Sequence, residues 1–176
     1  MKNLVEQLSS YAAYHRDSRN VATHFVGIPM IVVGFSALLA RPSFLLAGVP
    51  LSPSLLLAAA TAGFYLALDV RYGLVLAALL GLSAWAGASI AAASTGAWLV
   101  GSLGLFAVGW AFQFVGHHFE GKKPAFVDDL MGLLQGPLFL VAEASFALGR
   151  RTDLRDTIEA RFSSMPADPD AEARVA

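Results

Sequence analysis

The sequence predicts an all-α integral membrane protein: a four-helix bundle, preceded by an N-terminal amphipathic helix and followed by a C-terminal interfacial helix. Three observations carry this. The chain has 176 residues, 56% hydrophobic and only 14% charged, with mean hydropathy +0.61; soluble domains average about 25% charged. The charges are clustered: none lies between Arg19 and Arg41, between Pro42 and Leu68, or between Tyr72 and Phe119. A spanning helix needs about 20 apolar residues to cross roughly 30 Å of hydrocarbon, so these gaps hold one, one and two spans.

The elements follow in order. Residues 3–16 alternate apolar and polar positions at helical spacing and read as an amphipathic helix before the first span. Spans are placed at about 22–40, 52–68, 73–92 and 97–116. Arg41-Pro42 ends the first, and Pro29 inside it is expected to kink it. Ser52-Pro53 reads as an N-cap followed by proline at the first helical position. Ser94-Thr95-Gly96 makes the turn between the third and fourth. Small residues (Gly81, Ala84, Gly87 and Ala88, then Gly101 and Gly104) are expected to let these helices pack closely. Residues 125–149 are apolar but interrupted by Gly136-Pro137, too short after the break to cross, and read as an interfacial or partly embedded helix. Residues 1–162 thus form a single membrane domain, and 163–176, with Pro166, Asp168, Pro169 and Asp170, a disordered tail. No strand and no internal repeat is expected.

With four spans, every Lys and Arg except Arg41 falls on one side, which the positive-inside rule makes cytoplasmic, together with both termini. A bacterial inner membrane is favoured over endoplasmic reticulum. The first 20 residues are polar and read as no signal peptide. The absence of Cys excludes disulfide scaffolds, Fe–S clusters and thiol nucleophiles. A net charge of −1 without a basic stripe argues against nucleic-acid binding.

All four histidines lie in two segments, His15 with His24 and His117 with His118, both at the cytoplasmic boundary of the expected topology. His15 and His24 are nine apart, so one continuous helix would put them on opposite faces. A bend at Asp17-Ser18-Arg19-Asn20, rich in turn and capping residues, lets them converge. Asn20 and His24 then share a face. So do Gln113, His117 and Glu120, whereas His118 is rotated off that stripe. The pattern points to a mononuclear metal site of His15, His24 and His117, with Glu120 as ligand or as partner of a ligand. Imidazole suits iron, zinc and copper, and the carboxylate leans toward iron or zinc.

Other polar residues sit where burial is costly. Asp69, between spans two and three, is a loop charge or orients a metal-bound histidine. Glu143 lies in an apolar run and needs a histidine or basic partner. Lys122 and Lys123 read as anchors for lipid headgroups or as holders of a substrate carboxylate. Paired Glu-x-x-His motifs, His-Glu-x-x-His and a Gly-rich phosphate loop are absent, and four histidines cannot serve two metals in the manner of the membrane desaturases.

Two stretches, Tyr14-His15-Arg16-Asp17-Ser18-Arg19-Asn20-Val21-Ala22-Thr23-His24-Phe25-Val26-Gly27-Ile28-Pro29 and Gln113-Phe114-Val115-Gly116-His117-His118-Phe119-Glu120-Gly121-Lys122-Lys123-Pro124-Ala125, resemble the two signatures of the 2-hydroxy fatty acid dioxygenase family. That family includes the fungal dioxygenase of phytosphingosine breakdown and its bacterial relatives. The similarity runs from about residue 5 to 150. It implies an Fe(II)-dependent α-oxidation, in which a 2-hydroxy fatty acid and O2 give an acid one carbon shorter. It also implies His15, His24 and His117 as the family's histidines, with His118 replaceable. Arg16, Arg19 or Lys122 would steady the substrate carboxylate, and the acyl chain would lie among the spans and membrane lipid. The competing readings are a zinc-dependent lipid hydrolase with Glu120 as base, a b-haem carrier with His24 and His117 as axial ligands, and a non-catalytic lipid-binding membrane protein.

Overall fold

The computed structural model describes residues 3–47, 49–121 and 130–163. Lys122, Lys123, the first residues of the expected interfacial helix and the tail from residue 164 lie outside the described residues. The described residues form seven helices: α1 (Leu4–Ala12), α2 (Ser18–Ala40), α3 (Pro53–Leu68), α4 (Val70–Ala91), α5 (Thr95–Glu120), α6 (Gly132–Ala147) and α7 (Thr152–Ser163). A small antiparallel hairpin, β1 (Phe44–Leu46) and β2 (Val49–Leu51), joins α2 to α3, with Phe44 opposite Leu51. No strand was expected there. Three residues per strand are too few to show a period of two, and the turn uses Ala47 at φ 49, a conformation ordinarily given to glycine.

Local chemistry sets the helix ends. Asn3 and Glu6 close a reciprocal capping box on α1. Asp17 caps α2 by accepting from the Arg19 N–H at 2.8 Å. Ser52 caps α3 with Pro53 in its first turn, Ser94 caps α5, and Gly121 ends α5 in the left-handed region at φ 68. Asp69 serves both as the end of α3 and as the cap of α4, accepting from Tyr72 N–H at 2.9 Å.

Three helices, α2, α4 and α5, are long and apolar enough to cross a membrane. The second expected span, α3, is apolar but shorter, with 16 residues, about 24 Å of helix against roughly 30 Å of hydrocarbon. The expected break at Gly136-Pro137 is absent: α6 runs through both residues. Gly136 is required by close approach, since a Cβ there would lie 3.0 Å from Ile28 and 3.1 Å from the Tyr11 hydroxyl. One side of α6 is packed into the fold, with Gln135, Leu138, Phe139, Leu140 and Ala142 buried. The chain then turns by 118° into α7, through Gly149 and Arg151 at φ 67 and 53.

The most extensive packing joins α2 to α5, with α4 against α2 and α3. Glycines permit the α2–α5 approach. A Cβ on Gly109 would lie 2.8 Å from the Gly27 carbonyl, and one on Gly116 would strike Thr23 and Asn20. The expected small-residue contacts at Gly81 and Gly104 are not made, as both face open space; Gly87 does pack closely, on Ser36 and Ala37. A buried amide pair, Gln135 Nε2 donating to Gln7 Oε1 at 2.6 Å, ties α6 to α1.

A three-histidine candidate metal centre

α1 ends at Ala12, and His15 lies in the connection to α2 rather than on a helix. Its Nδ1 takes up the Tyr11 carbonyl at 2.8 Å, as histidines near helix C-termini commonly do. The Tyr11 ring stacks on it at 3.9 Å and 8°. His24, nearly two turns into α2, turns its Nδ1 to the Asn20 carbonyl at 2.9 Å. His117 comes in from the last turns of α5. The three rings are 4.5, 4.9 and 5.1 Å apart, and all three are buried, at 3%, 1% and 6% exposure. Their ligand nitrogens lie within 4.8 Å of one another.

The hydrogen bonds fix two tautomers. A carbonyl only accepts, so Nδ1 of His15 and of His24 each carry the proton, and both Nε2 atoms present lone pairs. Those Nε2 atoms face each other at 3.0 Å. Two acceptors at that distance repel unless a cation lies between them. A proton serves two rings, whereas here a third ring converges on the same point. Three neutral imidazoles with bonds to N of about 2.0–2.1 Å are a standard donor set for iron, zinc or copper, and they leave positions open for other ligands. The residues present fit a metal ion.

Glu120 stands outside the histidine cluster. Its carboxylate accepts from Asp17 N–H at 2.8 Å, from Arg16 N–H at 3.0 Å and from Asn20 Nδ2 at 3.1 Å. It thus grips the backbone just after His15 and the side chain of the residue whose carbonyl orients His24. A carboxylate at the C-terminal end of α5 meets the wrong end of that helix dipole, and the N-terminal end of α2 offsets it. Asn20 is fully buried. Gln113, buried one turn before His117, has no hydrogen-bond partner for Nε2 among the described residues.

The remaining sequence candidates fall elsewhere. Asp69 orients no histidine: it pairs with Arg151 at 2.8 Å and caps α4. Burial opposes its ionisation, but the Tyr72 amide and the Arg151 guanidinium outweigh this and hold its carboxyl below the ordinary range. Arg16 bonds Glu159 on α7 through both Nη atoms at 3.2–3.3 Å. Arg19 pairs with Asp17 at 2.7 Å and covers Phe119. Glu143, half-buried on α6, shares a cavity of about 500 Å³ with Arg16, Arg155, Glu159 and His15. His118 is exposed.

A second cavity, of about 450 Å³, starts at the centre and runs between α2, α3, α4, α5 and α6. His24, His117, Gln113 and Tyr11 stand at one end; the rest of its wall is mainly apolar, broken by the hydroxyls of Ser36, Ser54, Thr61, Tyr65 and Ser83. Sequence reasoning missed Tyr11, whose signal was its place four residues before His15. Burial pushes its phenol above the ordinary pKa.

The family described as "2-hydroxy-palmitic acid dioxygenase Mpo1-like" matches residues 1–148. The 2-hydroxy-palmitic acid dioxygenase MPO1 of Saccharomyces cerevisiae is 34% identical over 159 residues, covering 89% of this chain and 88% of the yeast protein. No solved structure matches. By the profile match across nearly the whole described fold and by this identity, the chain belongs to the Mpo1-like family.

Proposed function

We propose that this protein is an Fe(II)-dependent dioxygenase that shortens 2-hydroxy fatty acids by one carbon. His15, His24 and His117 hold the metal at the cytoplasmic boundary of the membrane. The observation that carries the metal is the pair of Nε2 lone pairs 3.0 Å apart with a third imidazole beside them. The observation that carries the substrate is the apolar cavity that begins at His24 and His117, together with the yeast relative, which is named for 2-hydroxy-palmitic acid.

Iron bound there would supply Lewis acidity and the means of using O2. The protein's own groups do the rest. The Asn20 and Tyr11 carbonyls fix the tautomers and ring planes. Glu120 locks the loop that carries His15. Gln113 offers a buried amide donor to the 2-hydroxy or carboxylate oxygens as they enter. The apolar wall excludes water and holds the acyl chain. Atoms balance with O2 as the sole oxidant: the 2-hydroxy acid plus O2 gives the shortened acid, CO2 and water. Both termini lie on the cytoplasmic side, which the basic residues favour.

The test is elemental analysis of anaerobically purified protein, beside assays of 2-hydroxy acid and O2 consumption. About one iron per chain is expected, with metal and activity both lost in His24→Ala and His117→Ala and both kept in His118→Ala. Zinc retained in place of iron would replace this reading with that of a hydrolase, and full activity in the first two variants would end it.

A further inference from the structure

The apolar cavity has a length and a floor. On α2 it is lined by His24, Ile28, Val32, Ser36 and Leu39, a single helical stripe. From His24 to Ser36 or Leu39 is 12 to 15 residues, about 18–22 Å at 1.5 Å per residue. At the far end Ser36 Oγ and Ser54 Oγ are 2.6 Å apart and clasp α2 to α3. Ser54 is 5% exposed. Behind the clasp α4 leaves no room, since a Cβ on Gly87 would lie 2.9 Å from Ser36 Oγ. Just past it, Trp98 Nε1 donates to the Ala37 carbonyl at 2.9 Å. On α2 the wall reaches one turn past the clasp, to Leu39, so the cavity ends within a turn of where the two helices meet.

We infer that this cavity is an acyl-chain ruler: the Ser36–Ser54 clasp sets the upper chain length, and Ala58 and Thr61 on α3 line the groove at graded heights above it. The inference rests on the 2-hydroxy fatty acid reading above. An extended chain advances about 1.2 Å per bond, since an extended residue spans roughly 3.5 Å over three bonds. The groove thus takes about fifteen to eighteen bonds, a long-chain acid and not a medium-chain one. Ala58 lies four residues from Ser54, about 6 Å or five bonds from the floor, and Thr61 seven residues, about 10 Å or eight to nine bonds. Both line the cavity.

The experiment compares wild type, Ala58→Phe and Thr61→Phe as full chains in nanodiscs. Saturated 2-hydroxy acids of about ten to about twenty carbons are the probes, a range chosen around the groove's length. Turnover and equilibrium binding, the latter by displacement of a fluorescent fatty acid, are both read. The longest acid accepted should fall by about five carbons in Ala58→Phe and about eight in Thr61→Phe, with the shorter acids retained. Equal truncation by both, a uniform loss at every length, or an unmoved limit would overturn the ruler. Should a phenylalanine prevent folding, Ala58→Leu gives the same test, with a smaller shift expected in the same direction. Length-limited binding without turnover would leave the ruler standing and remove the dioxygenase reading; turnover with an unmoved length limit would do the reverse.

Discussion

Substituting Glu120 by Gln separates a metal ligand from a residue that holds the ligands in place. In the structure the carboxylate serves three donors: the Arg16 and Asp17 amides and Asn20 Nδ2. All three reach Oε2, at 3.0, 2.8 and 3.1 Å. A glutamine with its carbonyl in that place keeps these three bonds, loses the charge, and sets its amide nitrogen against the Arg16 N–H that Oε1 accepts from at 3.0 Å. Hydrogen bonds to a charged acceptor contribute about 1.5–3 kcal/mol and neutral ones about 0.5–1.5, so the loss is about 1 kcal/mol per bond. Glu120 is only half-buried, and solvent screening reduces the sum to about 1–2 kcal/mol. Released into the loop that carries His15, this corresponds to roughly ten-fold weaker metal binding, at the low end of the 10–100-fold typical when a metal ligand loses its supporting hydrogen bond. Competition with a chelator of known affinity measures it, with thermal melting of the apo-protein alongside. A loss of metal far beyond 100-fold would make Glu120 a direct ligand and refute the reasoning. So would unchanged metal affinity and unchanged melting.

Gly116→Ala drives a methyl into Thr23 and Asn20 at the α2–α5 crossing; overpacking of this kind costs about 1–3 kcal/mol. A lower melting temperature and weaker metal binding are expected together, and normal values for both would show that α5 moves aside freely. Gln113→Leu removes the buried amide that faces the cavity. It should raise KM for 2-hydroxy acids while leaving metal content intact; metal loss instead would place Gln113 in the ligand shell. Asp69 has its folded pKa lowered, so its pairing stabilises the protein above the ordinary carboxylate pKa. That stability fades as pH falls through the lower folded value. Melting curves across the acid range should therefore show Asp69→Asn less stable at neutral pH and converging with wild type in acid. A constant gap at all pH values would contradict the assignment.

Much of the site was legible because its residues sit in local patterns. The turn and capping residues after His15 announce a bend, and the spacing Gln113–His117–Glu120 announces one face of α5. The fold was legible where composition speaks. The charge gaps locate the apolar helices, and Ser52-Pro53, Ser94 and Arg41 mark their ends within a few residues. What local pattern did not hold was read less well. The Gly136-Pro137 pair is a common helix breaker, yet α6 runs through both residues, with Gly136 packed on Tyr11 and Ile28 across the fold. Asp69 faces Arg151, a residue 82 positions away, and no spacing rule connects them.

The sequence by itself determined that this chain is helical and apolar, that it has no cysteine chemistry, and which three histidines have the geometry to meet. These are consequences of composition and of the helical period, which act over a few residues. How they meet depends on contacts between separate helices. The Tyr11 and Asn20 carbonyls choose the tautomers, Glu120 clamps the loop instead of joining the cluster, and the Ser36–Ser54 clasp gives the cavity its floor. Each of these depends on atoms brought together from separate helices, where the close approach of glycine-bearing surfaces and the need to satisfy buried polar groups set the arrangement.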